Sequence, residues 1–125
     1  MNTYSSQEYT DAKEALLIMM EKSECAQIKF KEKTAQHTLL KHRIHALHAC
    51  VTLMDHRDCD TLITYTQEEL DNILPPILSL LSKSQKAITK LKESSWQYQM
   101  LKRNIHALQI AQHCLHNQMK KEGNI

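Results

Sequence analysis

The sequence predicts an all-α protein: an up-down antiparallel four-helix bundle built from two tandem-duplicated α-hairpins. Three observations predict it. The first is composition. Of 125 residues one is glycine, Gly123, and the two prolines, Pro75 and Pro76, are adjacent. A β-rich chain of this length needs many tight turns, so scarce glycine favours helices joined by few connections. The second is an internal repeat. Ile44-His45-Ala46-Leu47 returns as Ile105-His106-Ala107-Leu108, an offset of 105 − 44 = 61 residues. At that offset Tyr4 meets Tyr65, Glu8 meets Glu69 and Leu17 meets Leu78, with Lys31-Glu32 on Lys92-Glu93 and Leu40-Lys41 on Leu101-Lys102. No gap is needed from Tyr4 to Leu108, and a unit repeated in this way covers its apolar face with its own copy.

The third observation is periodicity. Tyr9, Ala12, Leu16, Met19, Ser23, Ala26 and Phe30 follow alternating steps of three and four, as do Leu70, Ile73, Ile77, Leu80, Ser84, Ala87 and Leu91. That is the a/d spacing of an amphipathic helix. Leu40, Ile44, Leu47, Val51 and Met54 continue it in the first copy, and Leu101, Ile105, Leu108, Gln112 and Leu115 in the second. The domain is therefore single, 1–125, with repeat 1 at 4–58, a linker at 59–64 and repeat 2 at 65–119.

The first helix is expected over 6–31, opened by Ser5 with Glu8 three residues on, the capping-box spacing. The second is expected over 35–56. Polar Lys33-Thr34-Ala35-Gln36 interrupts the seam, and Thr34 is placed to accept the first free amides of a new helix. One continuous helix of about 50 residues per half is the alternative, since the a/d phase passes through Lys33 and His37 unbroken. The third helix, 67–92, repeats the capping box with Thr66 and Glu69; Pro75-Pro76 should kink or restart it, because each proline removes an amide donor. The fourth, 96–120, follows Ser95 as its cap. Leu40, Ile44, Leu47, Leu101, Ile105 and Leu108 are the expected core, and Ser23 and Ser84, on the same seam, should each bond a carbonyl one turn back.

Function classes narrow by exclusion. A net charge of +2 with interleaved Lys and Glu lacks the basic excess of a nucleic-acid binder. No apolar run approaches a membrane span, and the N-terminus lacks the pattern of a signal peptide. Cys25, Cys50, Cys59 and Cys114 show no paired spacing, which favours a reducing, cytoplasmic setting over disulfides or zinc knuckles. No glycine-rich turn offers an oxyanion hole or phosphate cradle, so an enzyme is not expected.

Eight histidines are the most conspicuous chemistry. His42, His45 and His48 stand at three-residue steps, and His106 repeats His45. They are the candidate metal or haem ligands, weighed against a solvated helix face. Glu-x-x-His, the di-iron signature of four-helix bundles, is absent. His45-Ala46-Leu47 and His106-Ala107-Leu108 look like the His-x-Leu opening of a histidine phosphotransfer site. Where that family has Lys and Gly, this chain has His48-Ala49 and Gln109-Ile110. The linker's Asp55, His56, Asp58, Cys59 and Asp60 match no metal-loop spacing.

A second apolar row runs beside the main seam: Leu39, Ala46, Cys50 and Leu53, with Met100, Ala107, Ala111 and Cys114 as its counterpart. It reads either as a wide buried arc or as a surface for a partner helix or second subunit. Leu39, Ala46, Cys50, Leu53, Ala107, Cys114 and the lone tryptophan Trp96 are the candidate partner-binding residues. The expected function is a small non-enzymatic protein-interaction module: an adaptor, regulator or immunity-type inhibitor. It should engage a protein partner or its own copy, with no cofactor. A His-dependent metal, haem or phosphoryl carrier is the alternative.

Overall fold

A computed structural model describes residues 4–55 and 65–123, the last five without their side chains. Four helices account for the described residues and no strand occurs among them: α1 Ser6–Gln27, α2 Ala35–Asp55, α3 Gln67–Ile88 and α4 Trp96–Gly123. Each half is therefore a helix pair, and the single long helix per half is excluded. The linker 59–64 and its candidate ligands His56, Asp58, Cys59 and Asp60 lie outside the described residues.

The helix starts follow from side-chain capping. The Glu8 amide donates to Ser5 Oγ at 3.1 Å, and the Ser5 amide donates to Glu8 Oε1 at 3.0 Å. Glu69 and Thr66 repeat this at 3.1 and 2.9 Å. Thr34 and Ser95 accept from the amides of His37 and Tyr98, each at 3.2 Å. Such caps satisfy amides that have no partner inside their own helix.

Helix ends fall earlier than periodicity predicts. α1 stops at Gln27 and α3 at Ile88, so Phe30 and Leu91 lie in connections rather than on the seam. Both connections close by the same local bonds. The amides of Lys29 and Phe30 donate to Ala26 and Gln27 carbonyls, and those of Lys90 and Leu91 to Ala87 and Ile88 carbonyls, each at 3.1 Å. Lys33, at φ 72°, takes the left-handed turn that re-aims the chain into α2.

α3 does not restart at its prolines. It runs unbroken through Pro75 and Pro76. The carbonyls left without donors belong to Asp71 and Asn72, both exposed residues, so water can satisfy them.

α1 packs on α2 and α4, α3 packs on α2 and α4, and α2 also approaches α4 closely across the bundle, whereas the backbones of α1 and α3 stay farther apart. Side-chain size explains which diagonal closes. α2 turns Ala46, Ala49 and Cys50 inward, and α4 turns Ala107 and Ala111 inward, all buried. On the other diagonal α3 buries the bulkier Leu70, Ile73 and Ile77 against an α1 face that has Leu16 beside the small Ala12 and Ala15, so the bulk that holds those helices apart comes mainly from α3.

Half of the expected core is corrected by this packing. Leu40, Leu47 and Leu108 are buried, but Ile44, Leu101 and Ile105 are only half-buried. The buried arc is rotated toward the small residues, so Ala46, Cys50 and Leu53 on α2, and Ala107, Ile110 and Ala111 on α4, occupy the centre. Ser23 is buried and donates to the Met19 carbonyl at 2.9 Å, as expected. Half-buried Ser84 forms no such bond among the described contacts.

Candidate functional site

Two regions collect what the sequence singled out: the outward histidines and the end of the molecule that carries the 28–34 and 89–95 connections.

The histidines do not converge. His42, His45 and His48 are exposed on α2, and His42 and His45 line a cleft of about 320 Å³ with Asn72 of α3. His106 lies on α4, where its Nε2 meets Glu8 Oε2 of α1 at 3.0 Å. The Tyr4 ring stands edge-on to His106 and His113, with centroids 5.9 and 5.4 Å apart, and edge-on to Tyr9 at 6.0 Å. His113 Nε2 meets Asn117 Nδ2 at 3.3 Å. Among the described residues no three His, Cys, Asp or Glu side chains are grouped to hold a metal ion. What these imidazoles form instead is a clasp that ties the start of α1 to α4.

Glu8 is the hinge of that clasp, a role that its capping-box position alone does not signal. One carboxylate oxygen accepts the Ser5 amide and the other meets His106. The Ser5 amide holds the Glu8 carboxyl below its usual value near 4.5; desolvation is the next largest effect and opposes it, and His106 adds to the lowering. In the second half Tyr65, the counterpart of Tyr4, is half-buried. Burial raises its phenol first, with the Glu69 carboxylate and Cys50 adding to the rise and a Thr52 hydrogen bond opposing it.

Most of the second apolar row is taken up inside the chain. Ala46, Cys50, Leu53, Ala107 and Ala111 are buried in the core, while Cys114 and Met100 are half-buried. The wide-buried-arc reading of the row is the one that matches. Burial, with Cys114 nearby, pushes the Cys50 thiol up to about 12, which leaves it protonated and unreactive at neutral pH. Leu39 departs from the row. It sits near the start of α2, beside buried Leu40, and is 47% exposed.

Leu39 belongs instead with Trp96. Ile28 is 84% exposed, Trp96 68% and Phe30 41%, and all three flank the two connections. Gln27 Nε2 donates to the His37 carbonyl at 3.4 Å, tying the end of α1 to the start of α2. Lys22 Nζ meets Met100 Sδ at 3.6 Å, tying the end of α1 to the start of α4. These contacts gather Ile28, Phe30, Leu39 and Trp96 toward one end of the molecule, here called the loop end.

Two clefts open beside that end. One, of about 400 Å³, is lined by Ile18, Glu21, Lys22, Cys25, Ala26 and Lys29; the other, of about 560 Å³, by Gln27, Glu32, Lys33, His37, Thr38 and Lys41. Charge collects here too. Residues 21–41 hold five lysines against three glutamates, and 82–103 hold five lysines and Arg103 against Glu93 alone. That is a net +7, leaving −5 for the rest of a chain whose total is +2. The near-neutral total conceals a strong separation, which a count by segment would have exposed.

No helix among the described residues is long and apolar enough to cross a membrane. Comparison with family models, with curated proteins and with solved structures returns no match for this chain.

Proposed function

We propose that the chain is a small non-enzymatic interaction module, an adaptor, regulator or immunity-type inhibitor, and that its contact face is the loop end. The observation that carries this is that, among the described residues, four of the six exposed large apolar ones, Ile28, Phe30, Leu39 and Trp96, lie toward the loop end, while the other two, Leu17 and Leu78, stand singly on α1 and α3. Large apolar side chains gathered in one place at the surface are a contact signature, and tryptophan is the residue type most enriched among energetically dominant contacts. A protein partner is the expected occupant and the cytoplasm the expected compartment.

The architecture proposed for it is the up-down antiparallel bundle made by tandem duplication. The order of contacts supports antiparallel neighbours: on α1, Glu8 meets His106 while the later Lys22 meets the earlier Met100. Likewise Lys13 pairs with Asp55 at 2.6 Å while the later Gln27 meets the earlier His37. Matching caps and matching turn bonds in the two halves support duplication. Such a module holds a fixed scaffold and offers one end for contact.

The test uses two variants that leave the core alone, Ile28→Glu and Trp96→Ala. Both should keep the helical circular-dichroism spectrum and melting behaviour of the parent. Both should lose capture of the partner that the parent retains from its native host. Retention of that partner by a folded double variant would remove the loop end from consideration.

A further inference from the structure

We propose that the loop end binds an acidic, amphipathic segment of the partner protein, one that alternates carboxylates with large apolar side chains. This rests on the loop end being the contact face and adds the chemistry of what it meets. Three observations carry it.

The first is the pairing of charge with apolar exposure. Ile28 and Phe30 alternate along the chain with Lys29 and Lys31, Lys33 follows, and Trp96 stands just past Lys90 and Lys92, every one of these cations exposed. A partner that supplied only apolar groups would leave the ammonium groups desolvated and unpaired, which is costly. A partner that supplied only carboxylates would leave Ile28 and Trp96 in water. An amphipathic acidic segment satisfies both.

The second is shape. The cleft beside α1 has Ile18, Cys25 and Ala26 along it, with the ammonium-bearing Lys22 and Lys29 outnumbering the one carboxylate, Glu21, among its lining residues. A concave apolar strip flanked by cations suits the apolar face of a helix whose flanks carry Glu or Asp.

The third distinguishes a protein from a lipid surface. Glu32 and Glu93 stand in the two connections at equivalent positions, both exposed among the lysines. Pressed on an anionic bilayer they would face like charge across a broad plane. A protein segment can place its carboxylates on the lysines and leave a gap or a cation opposite each glutamate.

The experiment reads the emission of Trp96, the only tryptophan, in the intact chain. The probe is a tryptophan-free synthetic helix with Leu and Phe at i, i+3, i+4 and i+7 on a Glu-rich background. Controls are the same helix with Gln for Glu, polyglutamate, and phosphatidylcholine vesicles with and without phosphatidylserine. The acidic helix should shift Trp96 emission to the blue and saturate, and binding should weaken steeply with added salt. Lys29→Glu alone should weaken it several-fold, and Lys29→Glu with Lys31→Glu and Lys33→Glu about tenfold or more, with helix content unchanged.

Each other outcome overturns the proposal in a recognisable way. Equal binding of the Gln helix would keep the loop end as contact face and remove the acidic requirement. Equal binding of polyglutamate would make the site purely electrostatic. A blue shift with phosphatidylserine vesicles in place of the helix would assign the face to lipid. No shift with any probe, while Ile28→Glu and Trp96→Ala still capture the native partner, would remove the loop end itself.

Discussion

At the scale of single residues, Glu8 shows how one side chain couples two levels of structure. Its carboxylate closes the cap of α1 and also reaches His106 on α4, 98 residues away. Because its folded pKa lies below the unfolded value, its contribution is complete above about 4.5 and is lost as pH falls through the folded value. Glu8→Gln should therefore lie below the parent by a constant margin at neutral pH, and the margin should close in acid. Urea titrations on both proteins, from neutral to well below pH 4, check this; a margin that persists in acid would refute the assignment. The cap was legible from the Ser5-to-Glu8 spacing, because capping is local. The His106 contact was not, since nothing in a one-dimensional reading aligns α1 with α4. A second residue-scale prediction follows from the dispersed imidazoles. Replacing His42, His45, His48 and His106 by Gln, singly and together, should leave partner binding intact, as measured by the same capture assay. Loss of binding in folded Gln variants would promote a His-dependent carrier, with the cleft at His42, His45 and Asn72 as its first location.

At the scale of elements, what was legible was the number of helices and the residues that open them. What was not legible was where they stop. The a/d rhythm ran on through Phe30 and Leu91, yet the chain turns at Ile28 and Thr89, because a seam position stabilises a helix only where a neighbour covers it. The prolines of α3 give a sharper case. Pro75-Pro76 predicted a kink or a restart, and the restart does not occur: two exposed residues supply the carbonyls that lose their donors, so tertiary packing carries the helix through. The strain remains in the energetics. The position equivalent to Pro76 in the first half is Ala15, which is fully buried in an unbroken helix. Pro76→Ala should raise unfolding free energy by about 1–3 kcal/mol. A loss of stability in chemical denaturation would show instead that α3 depends on the proline's shape. The rotated arc of α2 makes a companion prediction. Leu47→Ala should cost about 2–5 kcal/mol, whereas half-buried Ile44→Ala should cost clearly less.

At the scale of the whole molecule, the sequence left one choice that burial resolves: whether the small-residue row was surface or core. A row of Ala and Cys permits close approach of any helix, its own neighbour or a stranger's, and periodicity alone does not say which. The packing of α2 on α4 occupies it internally, so Ala46 and Ala107 are inaccessible while Leu39, from the same row, is not. The candidate site was thus half legible. Trp96 and Leu39 stood out by type and position, but Ile28 and Phe30 were read as helix or seam. The charge separation went unread because the two basic segments lie far apart in sequence and cancel against acidic stretches in the total. The decisive contrast pairs the two regions. Ala46→Glu or Ala107→Glu places a carboxylate where helices approach closely and no described cation is its partner, so burial of that charge should unfold the chain. Ile28→Glu places the same carboxylate in water among lysines and should leave the fold intact while removing contact. Circular dichroism and sedimentation on all three variants check this together. A folded Ala46→Glu protein that merely lost self-association would mean that α2 and α4 part to admit a second copy, and would return the small-residue row to the surface.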